Sequence, residues 1–369
     1  MEIKNKGINV AIIHDWLAGM RGGEKCLEVF CELFPEATLF SLVHVKGSLS
    51  PTIEKMKIIT SFLQHFPDIE NKYRNYLPLM PIAIGQFDLN GYDLIISSSH
   101  CVAKGVKVPE RSLHISYCYT PMRYIWDLYD QYFGNSKLYV KIAMKILRPV
   151  LQWWDVNSSK RVDNFVAISQ YIQERIKRHY NRDSIVIYPP VNTEFYTLSD
   201  KLEKKDYYLV VSAFAPYKRI DLAIETFNKI GLPLKIIGSG QEEKKLKKMA
   251  NKNIEFLDWK NDDELKYYYQ NCKALIFPGE EDFGIVPVEA QSCGTPVIAY
   301  SRGGAIETIV DGKTGVFFEN QTVESLTRAI HKLGKIQFDS KEIHVHAQDF
   351  SRSVFKEKIS KFIEKNLKN

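Results

Sequence analysis

The 369 residues are 45% hydrophobic, 12% aromatic and 25% charged, an ordinary globular composition that excludes disordered, collagen-like and coiled-coil classes. The length is too great for one ordinary core and predicts two domains, each shorter than about 200 residues. The net charge of +6 suits phosphate-bearing ligands or anionic lipid surfaces, and we expect no nucleic acid partner.

The start of the sequence and its cysteines indicate the compartment. Residues 1–7 are polar and run directly into an apolar strand, unlike the ordered segments of a signal peptide. No charge-free run approaches the roughly 18 to 20 apolar residues of a spanning helix. The cysteines lack metal-ligand and redox spacing, as reduced structural thiols do. They are Cys26, Cys31, Cys101, Cys118, Cys272 and Cys293. We therefore expect a cytoplasmic protein whose membrane contact, if any, is peripheral.

Apolar, β-branched runs alternate with helical patterns along nearly the whole chain, which predicts α/β units with parallel sheets. The first half has predicted strands at 8–13, 94–97, 113–117 and 165–168, and a helix over 24–33. The second half has predicted strands at 207–211, 234–237, 254–257, 274–277, 297–299 and 316–318. The polar stretch 197–206 predicts a linker, so the domains are 1–196 and 197–350. Because ligands bind at the carboxyl ends of such strands, we expect the active site in a cleft between the two domains.

The loop after the first strand, residues 14–23, ends in paired glycines before a helix. Gly22 and Gly23 let a backbone approach a ligand without a Cβ clash, and their N–H groups can face phosphate oxygens. The alternative is a plain turn. The dinucleotide fingerprint GxGxxG is absent here, GSGQEE at 238–243 lacks its third glycine, and no GxxxxGK[ST] appears, which disfavours a P-loop nucleotidase.

Two adjacent cations, Lys218 and Arg219, lie at a strand-to-helix junction in the second domain. Together they could neutralise a diphosphate, because arginine supplies a planar fork and lysine a point charge. The alternative is that Arg219 pairs with Asp221 or Glu225 on the helix surface.

The segment 277–290 is the most informative stretch, and its pattern is strand, loop and then a helix that starts near Pro287. The N–H groups just before that helix can bind anions or sugar hydroxyls, and they belong to Gly284, Ile285 and Val286. Glu289 then falls in the first turn, where its carboxylate can accept two hydrogen bonds from a vicinal diol such as ribose. Glu281 projects toward the same ligand. The alternative is that Glu289 only balances the helix dipole and Glu281 is a solvated loop charge.

Smaller elements complete the predicted site. Tyr119 and the stretch from Tyr124 to Asp127 follow a strand of the first domain, on the side expected to hold an acceptor. The histidines, among them His14, show no metal-ligand spacing, so we predict no metal site.

The helical pattern over 137–154 carries lysines beside an apolar stripe, and Trp153 and Trp154 follow. A basic, apolar helix can lie in a membrane interface, which would suit a lipid-linked acceptor. In the commoner arrangement, the apolar stripe faces the core and the lysines are solvated. The last segment, 351–369, is also amphipathic.

Three motifs together resemble the retaining glycosyltransferases of family 4, which have the GT-B fold of two Rossmann-like domains facing a deep interdomain cleft. They are PGEEDFGIVPVEAQSCGTPVIAYSRGGAIET, which contains Glu281 and Glu289, PYKRIDLAIE and RGGEK. HDWLAGMRGGEKCLEVFCELFPEATLFSL, YTPMRYIWDLY and VAISQYIQERI are similar to the branch containing bacterial O-antigen mannosyltransferases. The resemblance covers nearly the whole chain and is specific in its combination of motifs.

The resemblance implies a nucleotide-sugar donor, GDP-mannose in this branch, bound without a metal or other cofactor. By analogy Glu289 binds the ribose, Lys218 binds the diphosphate, and Glu281 with the backbone of Phe283, Gly284 and Ile285 holds donor sugar hydroxyls. Gly22 and Gly23 line the phosphate and acceptor side, and selection of the base involves the loops that contain Gly238 and Asp258. The segment 351–369 is expected to pack back on the first domain.

Two positions depart from the family pattern. Ser212-Ala213 stands where many members have Gly-Arg, so the diphosphate-binding arginine is absent and Arg219 is a candidate to replace it. Tyr119 stands where relatives often have histidine.

The predicted reaction is the retaining transfer of a hexose, without a metal, to a saccharide acceptor in bacterial surface polysaccharide synthesis. The acceptor is expected to be lipid-linked, and an anionic membrane is a candidate partner. The alternatives are a sugar-nucleotide epimerase of the same fold and a non-catalytic subunit that binds nucleotide-sugars.

Overall fold

The chain is represented by a computed structural model that describes residues 7–134, 136–199 and 205–367. It divides into two compact units, Met1–Pro190 with Phe355–Asn369 and Val191–Val354. The division after Pro190 precedes the expected boundary at residue 196, and residues 200–204 of the predicted linker lie outside the described residues. The first unit is continuous in sequence up to Pro190 and resumes in the last helix.

The first unit contains a parallel sheet of seven strands in the described residues, in the order β3-β2-β1-β4-β5-β6-β7. Its strands are β1 Val10–His14, β2 Thr38–Ser41, β3 Lys57–Thr60, β4 Leu94–Ser99, β5 Leu113–Cys118, β6 Asn164–Ala167 and β7 Ser184–Val186. Its helices are α1 Gly22–Leu33, α2 Pro51–Glu54, α3 Ile69–Lys72, α4 Met80–Ile84, α5 Tyr129–Phe133, α6 Leu138–Ser159 and α7 Gln170–Tyr180.

The second unit contains a parallel sheet of six strands in the described residues, in the order β10-β9-β8-β11-β12-β13. Its strands are β8 Tyr208–Val211, β9 Leu234–Ile237, β10 Ile254–Phe256, β11 Leu275–Phe277, β12 Val297–Tyr300 and β13 Gly315–Phe318. Its helices are α8 Ile220–Ile230, α9 Glu243–Met249, α10 Asp262–Asn271, α11 Ile285–Ser292, α12 Ala305–Thr308, α13 Val323–Leu333 and α14 Ser340–Ala347. The predicted class, two Rossmann-like α/β units, is therefore confirmed.

Burial explains which strands the sequence revealed. The residues of β1 are buried on both faces, as expected for a central parallel strand covered by helices, and they read as a continuous apolar run. The edge strands β3 and β7 were not predicted, because they are short and partly exposed. The strand β2 also escaped prediction, since its four residues include polar Thr38 and Ser41.

The last helix, α15 (Arg352–Leu367), returns the chain to the first unit. Phe355 contacts Phe30 of α1 and Tyr117 of β5, with ring centroids 5.6 and 5.5 Å apart. Lys356 forms an ion pair with Glu32 at 2.8 Å, and Ile359 is buried. The apolar face of this helix thus contributes to the core of the first unit.

In each sheet, the strand order reverses at one point: between β1 and β4 in the first unit, and between β8 and β11 in the second. The loops that leave two such strands run to opposite faces of the sheet, which opens a crevice at their carboxyl ends. The predicted loops 14–23, 212–219 and 278–284 follow β1, β8 and β11 respectively. The fold therefore places them where open α/β sheets bind ligands.

Candidate active site

The loop after β8 in the second unit ends in a 3₁₀ turn, Pro216–Lys218. Pro216 fixes its own φ, which favours the start of such a turn. Arg219 then adopts a left-handed conformation with φ of 53° and immediately precedes α8. This backbone conformation places Lys218 at the carboxyl edge of the sheet.

Lys218 forms an ion pair with Glu281 from the loop after β11. The two side chains are 15% and 23% exposed, so the pair is partly shielded yet open to a ligand. Gly279 makes this approach possible, because a Cβ there would lie 2.9 Å from both the Lys218 Cα and the Tyr217 carbonyl oxygen. Two residues that are distant in sequence and predicted to bind the same ligand are thus in direct contact.

Arg219, the second cation predicted to bind phosphate, is held by contacts within the second unit. Its Nε donates to Asp221 Oδ1 at 3.2 Å, and its Nη1 donates to Gln321 Oε1 at 3.1 Å. Gln321 in turn donates from Nε2 to the Pro278 carbonyl oxygen at 2.8 Å. Arg219 therefore pairs with the helix residue named in the structural alternative, and it braces the loop that carries Glu281.

The helix α11 begins at Ile285, two residues before the predicted start at Pro287. Gly284 precedes it with φ of +94°, a conformation open to glycine that turns the chain into the helix early. Pro287 is still tolerated, because the first N–H groups of a helix have no acceptor within it. The prediction that Glu289 lies in the first turn was therefore wrong, since it is the fifth helical residue. The backbone N–H groups of Ile285 and Val286 do lie at the helix start.

Glu289 is only 4% exposed and is held by a buried tyrosine. Tyr269 of α10 donates from Oη to Glu289 Oε2 at 3.1 Å. Burial, together with the Glu289 charge, raises the pKa of Tyr269 well above its usual value, so this hydroxyl remains a donor. The alternative that Glu289 only balances the helix dipole requires a position in the first turn, which Glu289 does not occupy.

The loop 301–304 after β12 closes around the segment 281–283. The Gly304 N–H donates to the Glu281 carbonyl oxygen at 2.8 Å. A Cβ on Gly303 would lie 2.3 Å from that same oxygen, and one on Gly304 would lie 2.3 Å from the Phe283 Cα. Phe283 itself is buried, and its ring lies 5.8 Å from that of Phe350. Phe283 thus anchors the loop by packing, which leaves only its backbone for the predicted contact with a sugar.

Gly238 and Asp258, the predicted base-side residues, are joined directly. The Gly238 N–H donates to the Asp258 carbonyl oxygen at 3.0 Å. Gly238 has φ of +138°, and a Cβ there would lie 1.9 Å from the Ser212 carbonyl oxygen. The Asp258 carboxylate points away into solvent, 3.1 Å from Lys247 Nζ. The loops after β8, β9 and β10 therefore form one backbone cluster.

In the first unit, His14, Gly23 and Tyr119 come together at the carboxyl edge of the sheet. His14 is fully buried, and its Nδ1 lies 3.0 Å from Ser98 Oγ. Ser98 Oγ lies 2.8 Å from Tyr119 Oη, which donates to the Gly23 carbonyl oxygen at 2.9 Å. Tyr119 therefore has a structural role beside the paired glycines. The helix α1 begins at Gly22, two residues before its predicted start at residue 24.

Sequence reasoning gave no role to two acidic residues at this edge. Glu24 accepts from the Arg21 N–H at 3.1 Å, and its Oε1 lies 3.7 Å from His14 Nε2. Burial would raise the pKa of Glu24, but the interaction with the nearby His14 outweighs it, and the pKa is lowered. Asp15 is fully buried and accepts four backbone N–H groups from residues 100–103 at 2.6–2.9 Å. An acidic residue directly after a buried strand was the available signal for Asp15.

Tyr124 and Asp127 lie further along the same loop. Asp127 Oδ2 lies 2.6 Å from Arg175 Nη2 and 3.1 Å from His179 Nε2, both on α7. Burial alone would raise the pKa of Asp127, but the hydrogen bond from His179 and the charge of Arg175 lower it to about 2. The ring of Tyr124 packs 5.8 Å from that of Tyr132. These contacts hold the loop in place, and the acceptor role of Asp127 stays a prediction.

The second unit matches the family model described as glycosyl transferases group 1 over residues 194–348. This segment is therefore similar to the group 1 glycosyltransferases. An uncharacterized glycosyltransferase of Methanocaldococcus jannaschii is 32% identical over 231 residues, 61% of this chain and 63% of that protein. The O-antigen chain mannosyltransferase RfbU of Salmonella typhimurium is 29% identical over 193 residues, 47% of this chain and 50% of that protein. The matches thus span less than two thirds of these relatives.

A solved structure has a fold similar to that of this chain. Anabaena HepE, crystallised with UDP, has a TM-score of 0.72 at 16% identity, with 97% of this chain and 100% of that chain covered. The same protein has been crystallised with UDP-glucose. At this identity the likeness shows the GT-B fold alone.

Within the segment that matches this family, Lys218 and Glu281 lie in the switch-point loops and Glu289 lies in α11, and all three were singled out from the sequence. Among the described residues, no group of three or more His, Cys, Asp or Glu side chains could hold a metal ion. All six cysteines lie in the described part of the chain, where they are buried thiols outside any disulfide. Burial and nearby glutamates raise the pKa of Cys31 to about 12, as expected for an unreactive structural thiol.

Proposed function

We propose that this protein is a retaining glycosyltransferase of family 4 that transfers mannose from GDP-mannose to a saccharide acceptor. The observation that carries the proposal is the Lys218–Glu281 pair at the switch point of the segment similar to the group 1 glycosyltransferases. A cation beside a carboxylate suits a nucleotide-sugar, because the cation attracts the diphosphate and the carboxylate accepts hydrogen bonds from sugar hydroxyls.

We assign the parts of the donor to three groups in the second unit. Lys218 binds the diphosphate, and the N–H groups at the start of α11 face it from the end of a helix dipole. Glu289 accepts hydrogen bonds from the ribose diol and is oriented by Tyr269. Glu281 and the backbone of 283–285 bind hydroxyls of the sugar. The loops around Gly238 and Asp258 face the base.

Catalysis in this proposal is electrostatic. As the bond between sugar and phosphate breaks, negative charge grows on the diphosphate while the sugar becomes cation-like. Lys218 and the helix N–H groups stabilise the phosphate charge without reorganising, which is the usual source of the largest rate effects. The acceptor hydroxyl then attacks on the face from which the diphosphate leaves, so the anomeric configuration is retained. No metal and no enzymatic nucleophile takes part.

We further propose that the acceptor is lipid-linked and belongs to bacterial surface polysaccharide synthesis, at the inner face of the cell membrane. The name of RfbU, an O-antigen chain mannosyltransferase, supports this assignment. Among the described residues, none of the helices has both the length and the apolar character to cross a bilayer. In the first unit, the edge formed by His14, Gly23 and Tyr119 is assigned to the acceptor and phosphate side.

A panel of donors tests this function. Thermal unfolding is measured with GDP-mannose, UDP-glucose, dTDP-glucose and the free nucleotides, since a ligand at 100 times its Kd stabilises by about 2.7 kcal/mol. We expect GDP-mannose to stabilise most. The stabilising donor is then incubated with and without lipid-linked saccharides, and the product's anomeric configuration is read by NMR.

Each outcome of this panel separates one alternative. Preferential stabilisation by UDP-glucose, bound by HepE, would replace the mannose assignment. An isomerised donor in the absence of acceptor would indicate an epimerase. Tight donor binding with no transfer to any acceptor would favour a non-catalytic subunit, and an inverted product would overturn the retaining mechanism.

A further inference from the structure

The helix α6 has an exposed apolar face in addition to its buried one. Met144 and Leu151 are buried in the core of the first unit, and Leu147 and Trp154 pack against that core. Apolar residues recur at intervals of three or four positions on another face, so they form one stripe. These residues are 54% to 73% exposed and are Leu138, Ile142, Ile146, Val150 and Trp153.

This exposure shows that the apolar stripe of α6 does not face the core, which was the commoner of the two arrangements considered from the sequence. The residues of α6 that face the core differ from those of the stripe, so the stripe remains exposed when the core of the first unit is packed. Its exposed side chains form a continuous row along a helix of 22 residues. A contiguous apolar surface of this kind on a globular protein indicates an interaction site.

The charges beside the stripe select its partner. Lys141 and Lys145 are exposed and lie one residue before Ile142 and Ile146, so they line one flank of the stripe. The acidic residue within α6 is Asp155, which is buried and forms an ion pair with Lys104. A second copy of this chain would therefore bring lysines toward lysines with no carboxylate from the helix between them, and this favours an anionic surface.

The aromatic residues of the exposed face fit the same partner. Tyr139 and Trp153 are both exposed, near the beginning and past the middle of the helix. Their rings combine an apolar body with a polar group, and such side chains concentrate at the boundary between lipid headgroups and acyl chains. Because the opposite face of α6 is buried in the core, the helix can present only its side to a bilayer.

We propose that the exposed face of α6, defined by Leu138, Ile142, Ile146, Val150 and Trp153 and flanked by Lys141 and Lys145, docks the first unit on an anionic lipid bilayer. The apolar stripe enters the interface and the lysine ammonium groups contact lipid phosphates. The inference rests on the proposed function only for its purpose, which is to bring the enzyme to a lipid-linked acceptor. Binding to vesicles needs neither donor nor acceptor, so either proposal can fail alone.

Flotation of the full-length chain with vesicles tests the surface. Vesicles of phosphatidylcholine alone, which are neutral, are compared with anionic vesicles that contain roughly 30% phosphatidylglycerol. We expect binding to the anionic vesicles only. The double variant Lys141→Gln with Lys145→Gln should weaken vesicle binding roughly 30-fold, because each lysine near the membrane surface contributes about fivefold to the affinity. Ile142→Ser with Ile146→Ser should weaken it at least about tenfold through lost apolar burial.

The matched control is Lys244→Gln with Lys248→Gln on α9, which removes two exposed lysines at the same spacing from the second unit. This control should bind like the wild type, and the α6 variants should keep the wild-type unfolding temperature because the changed side chains are exposed. Absence of wild-type binding at low salt, or an equal loss in the control, would overturn the proposal. A dimer dissolved by the isoleucine variant, without vesicle binding, would assign the face to a second copy instead.

Discussion

At the residue scale, the decisive contact is between Lys218 and Glu281, which come from loops after two neighbouring strands. Neither residue is deeply buried, so their mutual attraction contributes little to folding stability. A partly shielded cation that is already positioned is better suited to stabilise charge that develops during a reaction. The functional and structural roles of this pair are separable by mutation.

We predict that Lys218→Ala lowers kcat/KM for donor-dependent transfer on the order of 10²–10³-fold, because the growing phosphate charge loses a positioned cation. Thermal stability should change little. Steady-state kinetics check the first effect and calorimetry the second. Lys332→Ala is the control, since it removes an exposed lysine paired with Asp311 in the same unit and should leave the kinetics unchanged. Equal kinetics for both variants would remove Lys218 from the mechanism.

Tyr269→Phe tests how Glu289 is held. The variant removes a neutral hydrogen-bond donor that lies 3.1 Å from the buried Glu289 carboxylate, which should reduce the free energy of unfolding by about 1–3 kcal/mol. The KM for donor should rise more than kcat falls, because Tyr269 positions a binding residue. Tyr268→Phe on the same helix is the control. A stability loss with an unchanged KM would mean that Glu289 has no role in donor binding.

The ion pair of Asp127 predicts a dependence of stability on pH. Its pKa is lowered from 3.8 to about 2 in the folded protein, so the charged form is favoured by folding. The stabilisation is complete above about pH 4 and is lost as the pH falls toward 2. Asp127→Asn should therefore destabilise the protein near pH 7 and do so progressively less toward pH 2, as measured by urea unfolding. A difference independent of pH, or the same profile for Asp130→Asn on α5, would contradict this account.

At the element scale, short loops with glycines determine how the site is built. The segment 301–304 wraps around 281–283 only because Gly303 and Gly304 have no side chain. Arg219 and Gln321 support the same loop from the other side through the Pro278 carbonyl oxygen. The position of Glu281 thus depends on elements that follow three different strands.

Gly303→Ala should therefore destabilise the second unit and weaken donor binding. The residue has φ of +68°, and the new Cβ would lie 2.3 Å from the Glu281 carbonyl oxygen. Gly312→Ala is a matched control, because Gly312 has φ of +76° and nothing lies within 4 Å of its added Cβ. In both variants, alanine at a positive φ should lower the free energy of unfolding by about 1 kcal/mol. In Gly303→Ala, the steric overlap of the new Cβ should lower it by a further 1–3 kcal/mol or so, about the cost of overpacking. Equal unfolding temperatures would show that the loop relaxes freely.

The elements that could be predicted from sequence are those with a strong local pattern. Buried strands such as β1, β4 and β11 read as apolar runs, and the loops that follow them drew attention to Lys218, Glu281 and Glu289. The start of α11 was misplaced, because Pro287 is a stronger local signal than a glycine with positive φ. The pairing of Arg219 with Gln321 and the four N–H groups that bind Asp15 depend on which strands are neighbours, which local patterns do not encode.

At the scale of the whole molecule, the two units repeat one architectural solution, a parallel sheet whose strand order reverses beside the strand that starts the unit. In each unit a glycine-containing loop and buried acidic residues lie at that reversal. Their chemistry differs. The second unit offers a cation and carboxylates suited to a donor, while the first has an exposed apolar, basic helix suited to a lipid surface.

In the proposed function, the second unit binds a nucleotide-sugar through Lys218 and Glu289. Isothermal titration with GDP-mannose tests it most directly, on the wild type, Lys218→Ala, Glu289→Ala and the control Lys332→Ala. We expect the wild type and the control to bind with the same Kd, and each of the other variants to bind at least about tenfold more weakly, which corresponds to about 1.4 kcal/mol. Unchanged Kd values in both Lys218→Ala and Glu289→Ala would contradict the account.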